Sequence, residues 1–186
     1  KSVGNTVWQD LNNNGIQDPG EGTRDEGEFA FDHAWISLGG LKMGWSDSLY
    51  DGDLDGEGDA GGSGAVHFMS YTFSGANGFS ATLALEEEQY NNNYVPNVAG
   101  KVSFAQGWGG VDAWVAYDDD DNGALVGDAG WALKGRLTAN VGSAGVFKVL
   151  GTYNSNNNFY ANGGKWTLGA SYKHTLNPKL ALTGVV

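Results

Sequence analysis

From Phe29 onward the chain repeats one unit: an alternating apolar and polar run, a short turn that bears glycine in four of the five cases, a second alternating run, then a long polar connection. Phe79, Ala81, Leu83 and Leu85 alternate with Ser80, Thr82, Ala84 and Glu86. This two-residue period is that of a β-strand with one apolar face. Trp131, Leu133, Gly135, Leu137, Ala139 and Val141 likewise alternate with Ala132, Lys134, Arg136, Thr138 and Asn140. Phe147, Val149, Gly151 and Tyr153 alternate with Lys148, Leu150 and Thr152, and Trp166, Leu168, Ala170 and Tyr172 with Lys165, Thr167, Gly169, Ser171 and Lys173. Hairpins are expected at 29–38 with 41–45, 65–73 with 79–86, 98–106 with 111–117, 130–141 with 146–153, and 164–174 with 179–186. That makes about ten strands.

The connections between these hairpins, 46–64, 87–96, 118–129 and 154–163, are longer and rich in Asp, Asn and Gly. Short ends and long ends therefore alternate strictly. Such a meander is expected of an all-β, transmembrane, antiparallel up-and-down β-barrel of the bacterial outer membrane, with short turns on one side and long loops on the other. A soluble β-sandwich shares the same period, with an apolar core face and a wet outer face. The 31 glycines, 12% aromatics and three prolines favour short strands and turns over helices. No stretch approaches the roughly 18 apolar residues of a spanning helix.

The absence of cysteine removes disulfides and thiol chemistry, and a net charge of −12 argues against a nucleic-acid partner. The chain begins at Lys1 with no apolar export signal, so a mature or partial chain is expected.

The polar face separates barrel from sandwich. Lys134, Arg136, Lys148, Lys165 and Lys173, half of the ten basic residues, share it and would form a basic wall along a lumen. Asp47, Asp51, Asp53, Asp55, Glu57 and Asp59 crowd into the connection at 46–64, too like-charged to pack as a core element. Folded into a barrel, these carboxylates would face the basic wall across a narrow aqueous gap and set up a transverse field. A solvated outer loop, or a calcium site built on Asp51, Asp53 and Asp55, also fits the run.

Residues 31–48, 70–81, 106–111 and 169–173 resemble, in order, segments of the general porins of alphaproteobacteria, the rhizobial and Brucella type. The resemblance covers about 29–186. It implies a homotrimer of roughly 16-stranded barrels, each a water-filled channel for small hydrophilic solutes and ions, in contact with outer-membrane lipid and lipopolysaccharide. Asp47, Asp51, Asp53, Asp55, Glu57 and Asp59 would then line the constriction. About ten strands are visible and no terminal aromatic follows Val186, so a segment of a longer chain is expected.

Residues 1–28 are expected to form an outer loop with its own chemistry. Asp10, Asn12, Asn14, Gly15, Asp18 and Glu21 fit the spacing D-x-N-x-N-G-x-x-D-x-x-E. Side-chain oxygens of Asp10, Asn12, Asn14, Asp18 and Glu21 and the carbonyl of Ile16 would supply the ligands that Ca2+ requires. Pro19 and Gly20 oppose a following helix. With 3–10 before it, the loop resembles the calcium-bearing edge of B-type repeats in bacterial adhesins. An Asn-rich turn without metal is the plainer reading, and a secreted calcium-stabilised β-rich adhesin or surface module is the competing function.

No catalytic constellation is visible. His33, His67 and His174 fall on different hairpins, and no phosphate loop or Ser/His/Asp spacing appears. Glu86 to Glu88, Asp118 to Asp121, and the asparagines at 91–93 and 156–158 read as solvated loop residues. A non-enzymatic channel is the expectation.

Overall fold

The computed structural model describes residues 7–8, 23–24, 33–56, 64–88, 95–119, 129–161 and 164–186. It divides into two compact units, Lys1–Asp32 and His33–Val186. In the first, β1 (Val7–Trp8) and β2 (Thr23–Arg24) pair antiparallel.

The second unit is one ten-stranded sheet. Its strands are β3 (Ala34–Leu38), β4 (Leu41–Asp47), β5 (Ala65–Ser74), β6 (Phe79–Glu88) and β7 (Asn97–Gln106), followed by β8 (Gly109–Asp118), β9 (Gly130–Val141), β10 (Gly145–Asn154), β11 (Trp166–Asn177) and β12 (Leu180–Val185). Each strand pairs with its sequence neighbour, so order in space is order in sequence. All nine pairings are antiparallel. A single meandering sheet replaces the two stacked sheets that a sandwich requires.

Register puts the alternating residues on common faces. Met43, Met69, Leu85 and Val98 stand in one row, and Lys42, Ser70, Ala84 and Ala99 in the next, on the other side. The exposures are inverted relative to a soluble protein. Leu83 and Leu168 are 59% and 80% exposed, whereas Glu86 and Lys134 are 1% and 3% exposed. An apolar face left open while charged groups are buried on the other side is the pattern of a barrel wall whose outer face meets lipid.

Aromatics stand at both ends of this apolar face. Near the long connections Tyr117 packs on Trp131 and Tyr153 on Trp166, each with centroids 4.7 Å apart. Near the short turns lie Phe73, Phe79, Phe104 and Trp108. From Trp131 to Val141 the strand rises about 33 Å. At a tilt of about 40° this matches an apolar band roughly 25 Å tall.

Several boundaries differ from the sequence expectation. β3 begins at Ala34, and β4 continues through Ser46 and Asp47, so the long connection starts at Ser48. Glu87 and Glu88 belong to β6. Gly109 and Gly110 start β8, because backbone pairing to β7 and β9 continues to the edge of the two-residue turn. β11 runs to Asn177, with a register shift between Thr175 and Asn177. The tight turn at Gly78 needs glycine: φ is +76°, and a β-carbon there would run into the Ala105 carbonyl of the next hairpin. Gly78→Ala is expected to lower the thermal midpoint of the barrel, read by circular dichroism, at a cost of more than about 1 kcal/mol.

Candidate functional site

Residues 48–56 leave the end of β4 and run across the polar face as far as β12. Their contacts advance strand by strand. Ser48 Oγ and the Leu49 N–H donate to the Glu86 carboxylate on β6, at 2.8 and 2.6 Å. The Leu49 carbonyl accepts the Trp114 indole N–H of β8 at 3.1 Å. The Tyr50 carbonyl accepts Lys134 Nζ of β9 at 2.8 Å, and the same ammonium lies 4.4 Å from the Tyr50 ring centroid. Arg136 Nη1 donates to the Asp53 carbonyl at 3.0 Å. Lys148 Nζ of β10 donates to Asp55 Oδ1 at 2.9 Å, and the Asp55 N–H reaches Ser171 Oγ of β11 at 3.3 Å. Gly56, with φ of +82°, lies so close to β12 that a β-carbon would sit 2.9 Å from Val185 and 3.1 Å from Thr183.

The sequence makes room for this crossing. Ala84, Ala99, Ala116 and Ala132 occupy successive polar-face positions on β6 to β9 and form a small-residue floor under Tyr50, which is fully buried. Leu54 settles on Leu150. Gly52 faces Trp114, where a β-carbon would come within 2.8 Å of the ring. The base is closed by the Ser48 N–H donating to the Gly64 carbonyl at 3.3 Å.

The wall beneath is mixed in charge. Arg136 Nε and Nη2 both donate to Asp112 Oδ2, at 3.2 and 2.8 Å, while Ser103 Oγ donates to Oδ1 at 2.6 Å. Lys101 Nζ stands 4.0 Å from the same carboxylate and 4.6 Å from the Trp114 ring centroid. Lys101, Asp112, Trp114 and Glu86 were not marked as site residues in the sequence. Their polar-face parity was the available signal.

The expected aqueous gap between acids and wall is corrected here. Lys134 and Arg136 hold backbone carbonyls of the segment, and Asp55 meets Lys148 directly. Buried carbonyls need donors, and long cationic side chains at these positions supply them. Burial, reinforced by Asp53 and partly opposed by Lys134, pushes the Asp51 carboxyl above its ordinary range. Burial also raises the Tyr50 phenol. Beside the segment a cleft of about 360 Å³ opens toward β4 to β7, lined by Lys42, Asp51, Ser70, Thr72, Thr82 and Lys101 among others.

The other sequence-marked residues are placed as follows. Asp47 is the last residue of β4, with its carboxylate 3.3 Å from His33 Nε2. Lys165 precedes β11 and sits 5.9 Å from the Tyr153 ring; Lys173 faces the same side of β11 as Ser171. Glu57 and Asp59 lie outside the described residues, as do Asp10, Asn12, Asn14, Ile16, Asp18 and Glu21. Among the described residues, Asp51, Asp53 and Asp55 do not converge as a metal-ligand group. His67 packs on Trp45 and His174 stacks on Tyr172, which are structural roles.

Glu86 and Asp118 correct the expectation of solvated loop charge. Both are 1% exposed, and Asp118 Oδ2 accepts the Phe159 N–H at 2.7 Å. Asn156 and Asn158 are structural too, with Asn156 Nδ2 donating to the Ala129 carbonyl at 2.7 Å.

A family model described as a porin subfamily matches residues 5–186. Porin Omp2b of Brucella canis and of Brucella suis are each 31% identical to this chain over 193 residues, covering 91% of the chain and 51% of each relative. Porin Omp2a of Brucella suis is 32% identical over 183 residues, covering 89% of the chain and 47% of the relative. The chain thus spans about half the length of the curated relatives it matches. No solved structure matches it. The family match includes the amino-terminal segment and lends the adhesin reading no support. An outward apolar face, a ten-stranded meander and a family match over nearly the whole chain lead to one conclusion: the chain belongs to the porin family of bacterial outer-membrane β-barrels.

Proposed function

We propose that this chain forms wall and constriction of a water-filled channel through which small hydrophilic solutes and ions diffuse passively across the outer membrane. The carrying observation is the course of residues 48–56. They cross the polar face from β4 to β12, tied to Lys134, Arg136 and Lys148, while the opposite face is apolar and exposed. Hydroxyls and charges line the space left beside the segment, as passage of hydrated solutes requires. Homotrimeric assembly in contact with lipid and lipopolysaccharide belongs to the same reading, supported by that apolar face and the porin family. The test is reconstitution of the intact protein in planar bilayers. Stepwise conductance is expected; a detergent-free soluble protein that never inserts contradicts the channel.

Acid sensitivity follows from Asp51. Its raised pKa means that the folded protein binds this proton more tightly than the unfolded chain, whose carboxyl titrates near about 3.9. The stabilising proton is therefore lost as pH rises through the folded value, and the negative charge in the constriction is lost as pH falls through it. Cation preference is expected to begin falling at a pH above the ordinary carboxylate range, and Asp51→Asn should remove that first step in reversal potentials measured against pH.

The amino-terminal loop carries a second element of the proposal, a structural Ca2+ held by Asp10, Asn12, Asn14, Ile16, Asp18 and Glu21. The ligand spacing supports it, as does the antiparallel pair Val7↔Arg24 and Trp8↔Thr23, which brackets the motif with strands and not helices. Chelation is expected to lower the thermal midpoint and Glu21→Gln to abolish that calcium dependence. A midpoint indifferent to both leaves the loop a plain turn.

A further inference from the structure

A second segment folds onto the polar face and meets the first. Residues 155–161, between β10 and β11, form a tight turn in which Asn158 Oδ1 accepts the Tyr160 N–H at 3.0 Å and the Asn158 carbonyl accepts the Ala161 N–H at 2.9 Å. Asn158 is 3% exposed and Tyr160 fully buried. The turn is docked to the wall by the Phe159 N–H on Asp118 and by Asn156 on the Ala129 carbonyl.

From this seat two adjacent aromatic rings reach the root of the crossing segment and Gly64, where the chain returns to the wall. The Tyr160 ring packs edge-on against Tyr50 at 5.3 Å between centroids. Its hydroxyl donates to Glu86 Oε2 at 3.0 Å, the oxygen that also accepts Ser48 Oγ. Phe159 packs edge-on against Tyr160 at 5.1 Å and lies against Gly64, where a β-carbon would approach its ring to 2.7 Å. Ser48 and Gly64 are joined to each other by a backbone hydrogen bond.

We infer that residues 155–161 are a strut that sets the height of the 48–56 segment above the wall, with Tyr160 as the positioning residue that fixes the channel's cross-section. The inference rests on the reading of 48–56 as the constriction. Carbonyl-to-cation bonds hold the segment from the wall side, but they act on side chains with long flexible stems. The tyrosine pair is rigid and fully buried, so it fixes the separation that Lys134 and Arg136 alone leave adjustable. The Asn-rich composition of 155–158 suits the tight turn that seats the rings, since short amides bond their own backbone two residues on.

The test is single-channel recording on the intact protein with Tyr160→Ala and Tyr160→Phe, alongside Asp51→Asn/Asp53→Asn/Asp55→Asn. Tyr160→Ala is expected to change mean conductance at least 1.5-fold and to add open-state noise. Tyr160→Phe keeps the ring, so it should retain wild-type mean conductance while adding noise through the lost bond to Glu86. Should Tyr160→Ala fail to assemble, Tyr160→Phe alone decides: added noise supports the strut, and noise equal to wild type overturns it. An assembled Tyr160→Ala with wild-type conductance and noise also overturns it. If the triple acid variant still shifts selectivity, that failure belongs to the strut only; if selectivity stays unchanged in the triple variant, the constriction reading itself fails.

Discussion

Glu86→Leu is expected to release the crossing segment at its root and to give the largest change in channel behaviour of any single substitution. The carboxylate accepts three hydrogen bonds, from Ser48 Oγ, the Leu49 N–H and the Tyr160 hydroxyl, at 2.8, 2.6 and 3.0 Å. A leucine offers no acceptor, so three donors lose their partner in a site with 1% exposure at its centre. A buried donor left unmade costs about 1 to 3 kcal/mol, and bonds to charged groups lie at the upper end. Three together amount to about 3 kcal/mol or more, enough to loosen Ser48 and Leu49 while the ties to Trp114, Lys134, Arg136 and Lys148 remain. The nine strand pairings are untouched, so the barrel should persist. Expected results are a rise in open-state noise, altered conductance and new protease cleavage within residues 48–56. Wild-type recordings with an uncut segment would show that Glu86 anchors nothing.

Arg136→Met is expected to cost about 2 to 3 kcal/mol, because it strips Asp112 of its shortest cationic partner and removes the guanidinium bond to the Asp53 carbonyl. Methionine replaces much of the guanidinium stem's apolar contact, so the loss is electrostatic more than steric. Asp112 keeps Ser103 at 2.6 Å and Lys101 at 4.0 Å, neither of which replaces two guanidinium bonds to one oxygen. Asp112→Asn removes the charge that needs compensation. The double variant Arg136→Met/Asp112→Asn is therefore expected to be less destabilised than the sum of the singles, in a double-mutant cycle read by thermal unfolding. Strict additivity would mean that the pair does not couple.

The wall was legible in the sequence because its code is local. Phe79 to Leu85 and Trp131 to Val141 each declare a strand and its two faces within a dozen residues, and the alternation of short and long connections orders the strands. Lys134, Arg136 and Lys148 were readable by the same parity. What sits on the wall was not legible in this way. Glu86 and Asp118 stand at strand ends beside polar connections, where an isolated carboxylate is ordinarily wet. Their partners arrive from other loops: Leu49 lies 37 residues from Glu86, Tyr160 lies 74 from it, and Phe159 lies 41 from Asp118. No periodicity reports contacts of that separation. Residues 154–163 gave a similar false lead, since an Asn-rich run has the composition of a solvated loop, yet Asn158 spends its amide on the turn that seats Tyr160. The acids of 48–56 were marked for their charge, but its carbonyls make several of the ties to the wall, and carbonyls leave no mark in a sequence.

Ion selectivity bears most directly on residues 48–56 as the constriction. At about 8 Å a unit charge acts on a passing ion with about 0.5 kcal/mol even in water's dielectric, and three such charges together change its weight severalfold after screening at about 0.1 M salt. The measurement is the reversal potential of the intact protein across a planar bilayer under a salt gradient, for wild type and for Asp51→Asn/Asp53→Asn/Asp55→Asn. A severalfold fall in the cation-to-anion permeability ratio, with stepwise conductance retained, is the predicted result; a triple variant that conducts in steps with wild-type selectivity would contradict a constriction at residues 48–56.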